Sequence, residues 1–471
     1  MSREGKLAKN TMILAIGTFL PKLASFVTLP ILTGYLTKAE YGTYDLITVL
    51  VSLLLPTVTL QIQSAAFRFL IECRDNEPEI KKIVTNIVAF IIPTSLISLV
   101  ILFFALGSQD IGVRIFICLY FLADIFVNAA RQIARGLDRN IAYSISAIVS
   151  ALGKMIYAVI CVYWLRAGLL GTVISLFMAS LFSLVYLVFK ARLFKYVDFG
   201  CFSKIRLKEM LAYSWPMVPN SISAWVMRLS DRIVVTAVMG VSANAVYAVA
   251  NKLPSLLNLA QNTFTMAWQE NATIVSKDKD ASEYYSSMFK VMYDLMAGFF
   301  GILIAATPLL FRLLVKGDYS EAYSQMPVLF LAMFFFSMST FLGGIYVAYM
   351  KSKSVGITTT IAAAVNLITD IAAIKWIGLY AASGSTLIAY VFLFVYRIID
   401  VQNIIKVKVN WVHSSVVLGL MVIESVLCFL SLPVLNIINL CLAGTVFGVV
   451  NRSFVKTVTI KAKAVIRKRN R

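Results

Sequence analysis

Histidine is nearly absent from this 471-residue sequence; His413 stands alone. A metal site built on imidazole is therefore excluded in practice. Six cysteines (Cys73, Cys118, Cys161, Cys201, Cys428, Cys441) are scattered and no two form a CxxC, so they read as small packing residues, most of them in apolar runs. Neither GxGxxG nor a Walker A loop occurs, which leaves no standard phosphate cradle. Charge is scarce as well. Asp, Glu, Lys and Arg make up 14% of the chain, against about 25% in soluble proteins. Hydrophobic residues make up 60% and the mean hydropathy is +0.83. A chain so poor in polar surface cannot cover itself in water, so it is read as an integral membrane protein.

What is present is a series of apolar runs, each about 20 residues long, the length a helix needs to cross a ~30 Å hydrocarbon core. The short alternating segments of a β-barrel are missing. The opening MSREGKLAKN is a basic flank with no cleavage pattern, so the run after it is taken as the first helix. Fourteen spans are expected. Six lie near 11–36, 42–67, 83–106, 113–134, 141–165 and 169–189, and six more near 211–239, 243–269, 286–314, 325–349, 356–377 and 379–400. The last two lie near 411–431 and 434–453.

The net charge of +20 sits in short clusters between these runs, without the aromatic–basic interleaving of a nucleic-acid surface. It reads as topology. Of 43 Lys and Arg, six (Lys38, Arg114, Arg166, Arg312, Lys316, Lys375) fall on the side opposite the N-terminus. The positive-inside rule then puts both termini in the cytoplasm. The basic tail ending RKRNR suits anionic headgroups.

Two halves resemble each other. GLLGTVISLFMASLFSLVYLV from Gly168 aligns without gaps on GLYAASGSTLIAYVFLFVYRI from Gly378, and KAEYGTYDLI resembles SANAVYAVAN. The expected plan is an all-α membrane protein with two pseudo-symmetric six-helix lobes around a central cleft plus two C-terminal helices. Its parts are 1–190 as the N-terminal lobe, 191–210 as a cytoplasmic linker, 211–405 as the C-terminal lobe, 406–455 as helices 13–14 and 456–471 as a basic tail.

The stretch NTMILAIGTFLPKLASFVTLPILTGYLTKAEYGTYDLITVL resembles the first two helices of the bacterial polysaccharide transport family, the Wzx-type flippases of lipid-linked oligosaccharides. That family belongs to the superfamily that includes the lipid II flippase MurJ and the MATE drug exporters. The matching elements are Asn10, Pro21 and Pro30, the LT..EYG turn and the Tyr-Asp after it. The SWP..P and SDR of the seventh helix match as well. The resemblance implies alternating access in the bacterial cytoplasmic membrane. A polyprenyl-diphosphate-linked glycan would pass from the inner to the outer leaflet, without enzyme activity or cofactor, driven by an H⁺ or Na⁺ gradient. The lipid bilayer, the anionic lipid-linked glycan, a glycan polymerase and other assembly proteins would be its partners. The rival readings are a MATE-like exporter of cationic drugs and a MurJ-like flippase of lipid II.

Charges within spans are the candidate site, because each costs about 2.5–3.5 kcal/mol on insertion scales. Arg228 and Arg232 share one face of the seventh helix, with Asp231 in reach of Arg228 for an internal pair. Pairing neutralises one cation, and the other needs an acid on another helix, water or an anionic ligand. Lys22, Lys154 and Lys252 add cations in helices 1, 5 and 8, and Lys154 against Asp370 would suit a lock between lobes. Arg68, Arg131, Arg135 and Arg139 lie at the inner ends of helices 2 and 4, where ordinary positive-inside anchoring accounts for them; the last three are spaced to share a face, and such a stripe would alternatively attract a diphosphate headgroup. Asp124, Asp231 and Asp370 are the acids expected to couple an ion, with Glu424 outside the repeat. Basic residues outnumber acidic ones in the spans, which favours an anionic cargo over a cationic drug.

Overall fold

The structure is a computed structural model, and it describes residues 21, 24–255, 261, 265, 268–269 and 271–452. Among the described residues there are helices and no strand. In hydrocarbon every backbone donor and acceptor must be satisfied within its own segment, and a helix does this. The helices are α1 (Ala24–Tyr35), α2 (Lys38–Thr59), α3 (Ile62–Glu72), α4 (Glu77–Ala105), α5 (Ile111–Gly136) and α6 (Asn140–Ala158). Next come α7 (Gly168–Lys190), α8 (Lys204–Ser214), α9 (Met217–Met239) and α10 (Val241–Ser255). After these lie α11 (Ala281–Leu314), α12 (Ser320–Ala348), α13 (Ser352–Ile377), α14 (Leu379–Val401), α15 (Trp411–Leu430) and α16 (Pro433–Val450). Eleven stretches among the described residues are long and apolar enough to cross a membrane. The three further expected spans correspond to α1, α9 and α10; α9 carries Arg228, Asp231 and Arg232, too many charges for a purely apolar window.

Three expectations need correction in detail. The second helix is not continuous over 42–67. It breaks at Leu60 and Gln61, both with left-handed φ (46° and 57°), into α2 and α3. The last part of the fifth span widens from α-helix to π-helix over Val159–Trp164. Arg139 is not on the stripe of α5, which ends at Gly136; the left-handed Asp138 (φ 58°) turns the chain, and Arg139 precedes α6.

The chain divides into two compact units. Unit 1 is Met1–Ala245 with Leu314–Gly317, and unit 2 is Val246–Leu313 with Asp318–Arg471. In unit 1, Glu40 organises two helix starts at once. It closes a capping box with Thr37 at the head of α2, and its Oε1 accepts from the Leu169 amide (3.1 Å) at the head of α7. Gly168 beside it has φ +52°, and a Cβ there would press on the Glu40 carboxylate, so another residue would be strained and would displace Glu40. Helix α9 packs on α2 through Trp225, whose Nε1 donates to Val49 O (3.2 Å) and Ser52 Oγ (3.0 Å). The segment 196–203 is stitched to α4: the Asp198 amide donates to Thr85 Oγ1 (2.9 Å) and the Ser203 amide to Asn86 Oδ1 (3.3 Å).

The core of unit 2 is aromatic. Trp268 stacks on Phe341 at 4.2 Å, and Phe300 and Tyr293 meet Phe334 edge-on. Arg397, 4% exposed, is held within it by neutral acceptors: Ser339 O (2.8 Å), Thr358 Oγ1 (3.1 Å from Nε) and Thr359 Oγ1 (3.0 Å).

Candidate transport site

Helix α9 presents Trp225 and Arg232, seven residues or nearly two turns apart, on one face toward α2. There Arg232 Nη1 meets both carboxylate oxygens of Asp45, at 2.6 Å and 2.7 Å. The side chains are 14% and 3% exposed, so the pair is buried. Asn244 donates to Asp45 Oδ2 (3.5 Å) and to the carbonyl of Gly42 (3.1 Å). Gly42 permits that approach, because a Cβ there would lie 1.8 Å from Val241 O. An acid on another helix thus answers Arg232.

The internal pair that spacing allowed between Arg228 and Asp231 does not form. Arg228 is exposed, turns its Nε back to Ala224 O (3.0 Å) and makes no ion pair among the described residues. Spacing of three permits reach but does not compel it, and the backbone carbonyl one turn away is the nearer acceptor. Asp231 is buried, at 5% exposure.

A second focus lies on α5, where Arg131 is fixed from three directions. Its Nε donates to Ser146 Oγ (3.2 Å), and its Nη2 donates to Ser146 O (3.3 Å) and Ser183 Oγ (3.1 Å). Both serines are buried, and Ser183 donates in turn to Ser146 O (2.9 Å). This differs from a snorkelling anchor at a helix end. The hydrogen-bond partners that orient the guanidinium are all neutral. Asp124, two turns earlier on the same face, holds Asn128 (3.2 Å between Oδ2 and Nδ2) and is close enough to interact electrostatically with Arg131. From α6, Lys154 places its ammonium 5.2 Å from the centre of the Tyr44 ring, a cation–π contact worth about 0.5–2 kcal/mol.

Arg131 and Lys154 line one cavity of ≈ 220 Å³, together with Pro21, Ser25 and Thr28 on the first-span side and Ser150 on α6. Among the described residues its lining holds two cations, hydroxyls and small apolar groups, and no acid.

The other expected site residues are placed as follows. Lys22 lies outside the described residues. Arg68 forms an exposed i,i+4 pair with Glu72 (2.6 Å). Arg135 donates to Gln132 Oε1 (3.3 Å) and lies over the rings of Phe67 and Tyr143. Lys252 is half-buried in the last turn of α10. In unit 2, Asp370 is fully buried on α13, one turn after Asn366, whose Nδ2 reaches Ser385 Oγ and Thr386 Oγ1 at 3.4 Å. Lys154 and Asp370 belong to different units. Glu424 is 1% exposed against Gly301 of α11, and neither carboxyl oxygen has a hydrogen-bond partner among the described residues.

Sequence reasoning passed over Asp45, Ser146 and Ser183. Asp45 carried a usable signal, a charge within a span. The serines carried none, because their role depends on which helices adjoin.

Residues 7–269 match the family model described as polysaccharide biosynthesis protein. Among solved structures, a lipid II flippase, MurJ, in an inward closed conformation is similar, with TM-score 0.74 and 12% identity over 95% of this chain and 100% of that one. A multidrug resistance MATE family transporter in an inward-facing conformation gives TM-score 0.69 at 11% identity, covering 84% of this chain and 98% of that one. These likenesses show a shared fold. No curated protein matches the chain.

Proposed function

Because the chain belongs to the polysaccharide biosynthesis protein family, we propose that it is a flippase that carries a polyprenyl-diphosphate-linked oligosaccharide from the inner to the outer leaflet of the bacterial cytoplasmic membrane. One observation carries this choice of cargo: among the described residues, the cavity of unit 1 is lined by Arg131 and Lys154 and by no acid. A cationic drug would meet repulsion there. A diphosphate offers oxygens that a guanidinium binds in planar, bidentate fashion and that an ammonium binds as a point charge. Ser146 and Ser183 hold Arg131 in place, so less ordering entropy is lost when the anion arrives. In this reading the cavity opens to each leaflet in turn. Asp124, near Arg131 on α5, takes up the coupling cation, H⁺ or Na⁺, with Asp231 and Asp370 as further acids for that role.

The test is transport of a polyprenyl-diphosphate glycan into proteoliposomes, with surface glycan in a flippase-deleted strain as the cellular readout. Arg131→Ala and Lys154→Ala are expected to lower transport at least tenfold with membrane-inserted protein near normal. Arg131→Lys should recover part of it. Full transport by both alanine variants would remove the cavity from the cargo's path. Efflux of a cationic dye at a rate that exceeds glycan transport would favour the exporter instead.

A further inference from the structure

Unit 1 has another hollow, and among the described residues its lining contains no polar side chain. It measures ≈ 310 Å³. Ala129 and Ala130 of α5 form its floor, Val84 and Val88 of α4 one wall, and Leu184 and Val188 of α7 the other. The small floor residues leave the space. One end is stopped by Leu193, Phe194 and Val197, in the segment that hydrogen bonds from Asp198 and Ser203 pin to α4.

This hollow is distinct from the cargo cavity. At about 100° per residue, the floor positions 126, 129, 130 and 133 centre roughly 150° around α5 from Arg131. The two spaces therefore open on opposite faces of the same helix. The residues that stop the apolar slot are interleaved with cations. Lys190, Arg192 and Lys195 are exposed, and among the described residues none of them makes an ion pair or a side-chain hydrogen bond. Arg139 is near as well, donating to the Tyr196 hydroxyl (3.1 Å). The nearest acid in the chain, Asp198, spends its carboxylate on the Gly200 amide and Cys201 Sγ.

A dry slot that ends at unanswered cations fits an amphiphile with an apolar chain and a negative head. We propose that it is a binding site for an anionic glycerophospholipid, with one acyl chain in the slot and the phosphate against Arg192 and Lys195. The inference needs only that the chain sits in a membrane and is independent of the cargo. Net positive charge of the rim selects an anionic headgroup over a zwitterionic one, whose cation would be repelled. The opposite placement from Arg131 argues against the transported polyprenyl lipid as occupant.

The experiment uses the full-length protein purified in detergent. It is titrated with phosphatidylglycerol and with phosphatidylcholine of the same acyl chains, and bound lipid is read by native mass spectrometry. Phosphatidylglycerol is expected to bind at least tenfold more tightly. The combined variant Lys190→Gln/Arg192→Gln/Lys195→Gln alters only exposed side chains, so it should fold and lose that preference. Val88→Phe and Val188→Phe fill the slot and should weaken both lipids, with lipid-free melting used to show that they remain folded. Phosphatidylglycerol preference that survives the triple glutamine variant would overturn the proposal. So would undiminished binding in folded slot-filled variants, or displacement of phosphatidylglycerol by a polyprenyl phosphate at lower concentration.

Discussion

Asp45 and Arg232 stand or fall together. Removing one partner of a buried pair strands the other charge, at a cost of about 3–5 kcal/mol, whereas replacing both with apolar groups of similar size is often neutral or stabilising. Asp45→Ala and Arg232→Ala should therefore each lower the melting temperature and yield, and Asp45→Leu/Arg232→Met should recover both. Transport by that double variant then separates the roles. A stable protein that still moves glycan makes the pair structural; a stable protein that moves none puts Arg232 in the path of the cargo. The question that three charges in one helix pose was legible in the sequence, and so was the kind of answer. The identity of the partner was not. Asp45 sits inside the EYGTYD motif, and nothing local to that motif shows which distant cation it meets. Gly168 makes a second prediction at this scale. An alanine there must adopt φ near +52° and displace Glu40 from two helix starts. Left-handed backbone alone costs about 1–2 kcal/mol. Gly168→Ala should melt earlier than the wild type by more than Gly378→Ala, whose φ is +60°.

Helix ends were less legible than helix bodies. Apolar runs announce a span, but the break at Leu60–Gln61 contains neither glycine nor proline. It is held by contacts distant in sequence, with Gln61 Nε2 donating to Ser221 Oγ (3.0 Å) on α9, and a local reading has no access to those. The end of α12 is a similar case. The Lys351 amide donates to Tyr346 O and the Met350 amide to Val347 O, the two bonds of a Schellman motif, with Met350 at the left-handed position that glycine usually fills. Met350 is 91% exposed, so its side chain contributes little packing. Met350→Gly should relieve the backbone strain and stabilise the protein by about 0.5–1 kcal/mol, after the greater freedom of glycine in the unfolded chain is subtracted. A melting curve in detergent checks the sign.

For the whole molecule, charge placement acts during insertion and needs no tertiary contact, so the orientation it implies is open to direct test. Reporter fusions at residue 471 and in the 190–210 loop should be active with a cytoplasmic reporter and silent with a periplasmic one; the reverse at either position overturns the proposed orientation. The internal repeat was legible at Gly168 and Gly378, which share a left-handed φ at the start of α7 and α14. The division into units was not, since unit 1 includes α9 and ends inside α10, beyond the linker that separates the two sequence repeats.

That inclusion has a consequence in time. Asp45 and Arg232 are 187 residues apart in the chain. At about 5–20 residues per second of synthesis, roughly 10–40 s separate the appearance of the carboxylate from that of the guanidinium that neutralises it. Throughout that interval the nascent first repeat carries α2 with an unmatched acid and without the helix that packs on it. A ribosome that stalls before α9 leaves a membrane fragment incomplete at this point, a natural mark for proteolysis, while completion of α9 supplies the missing charge.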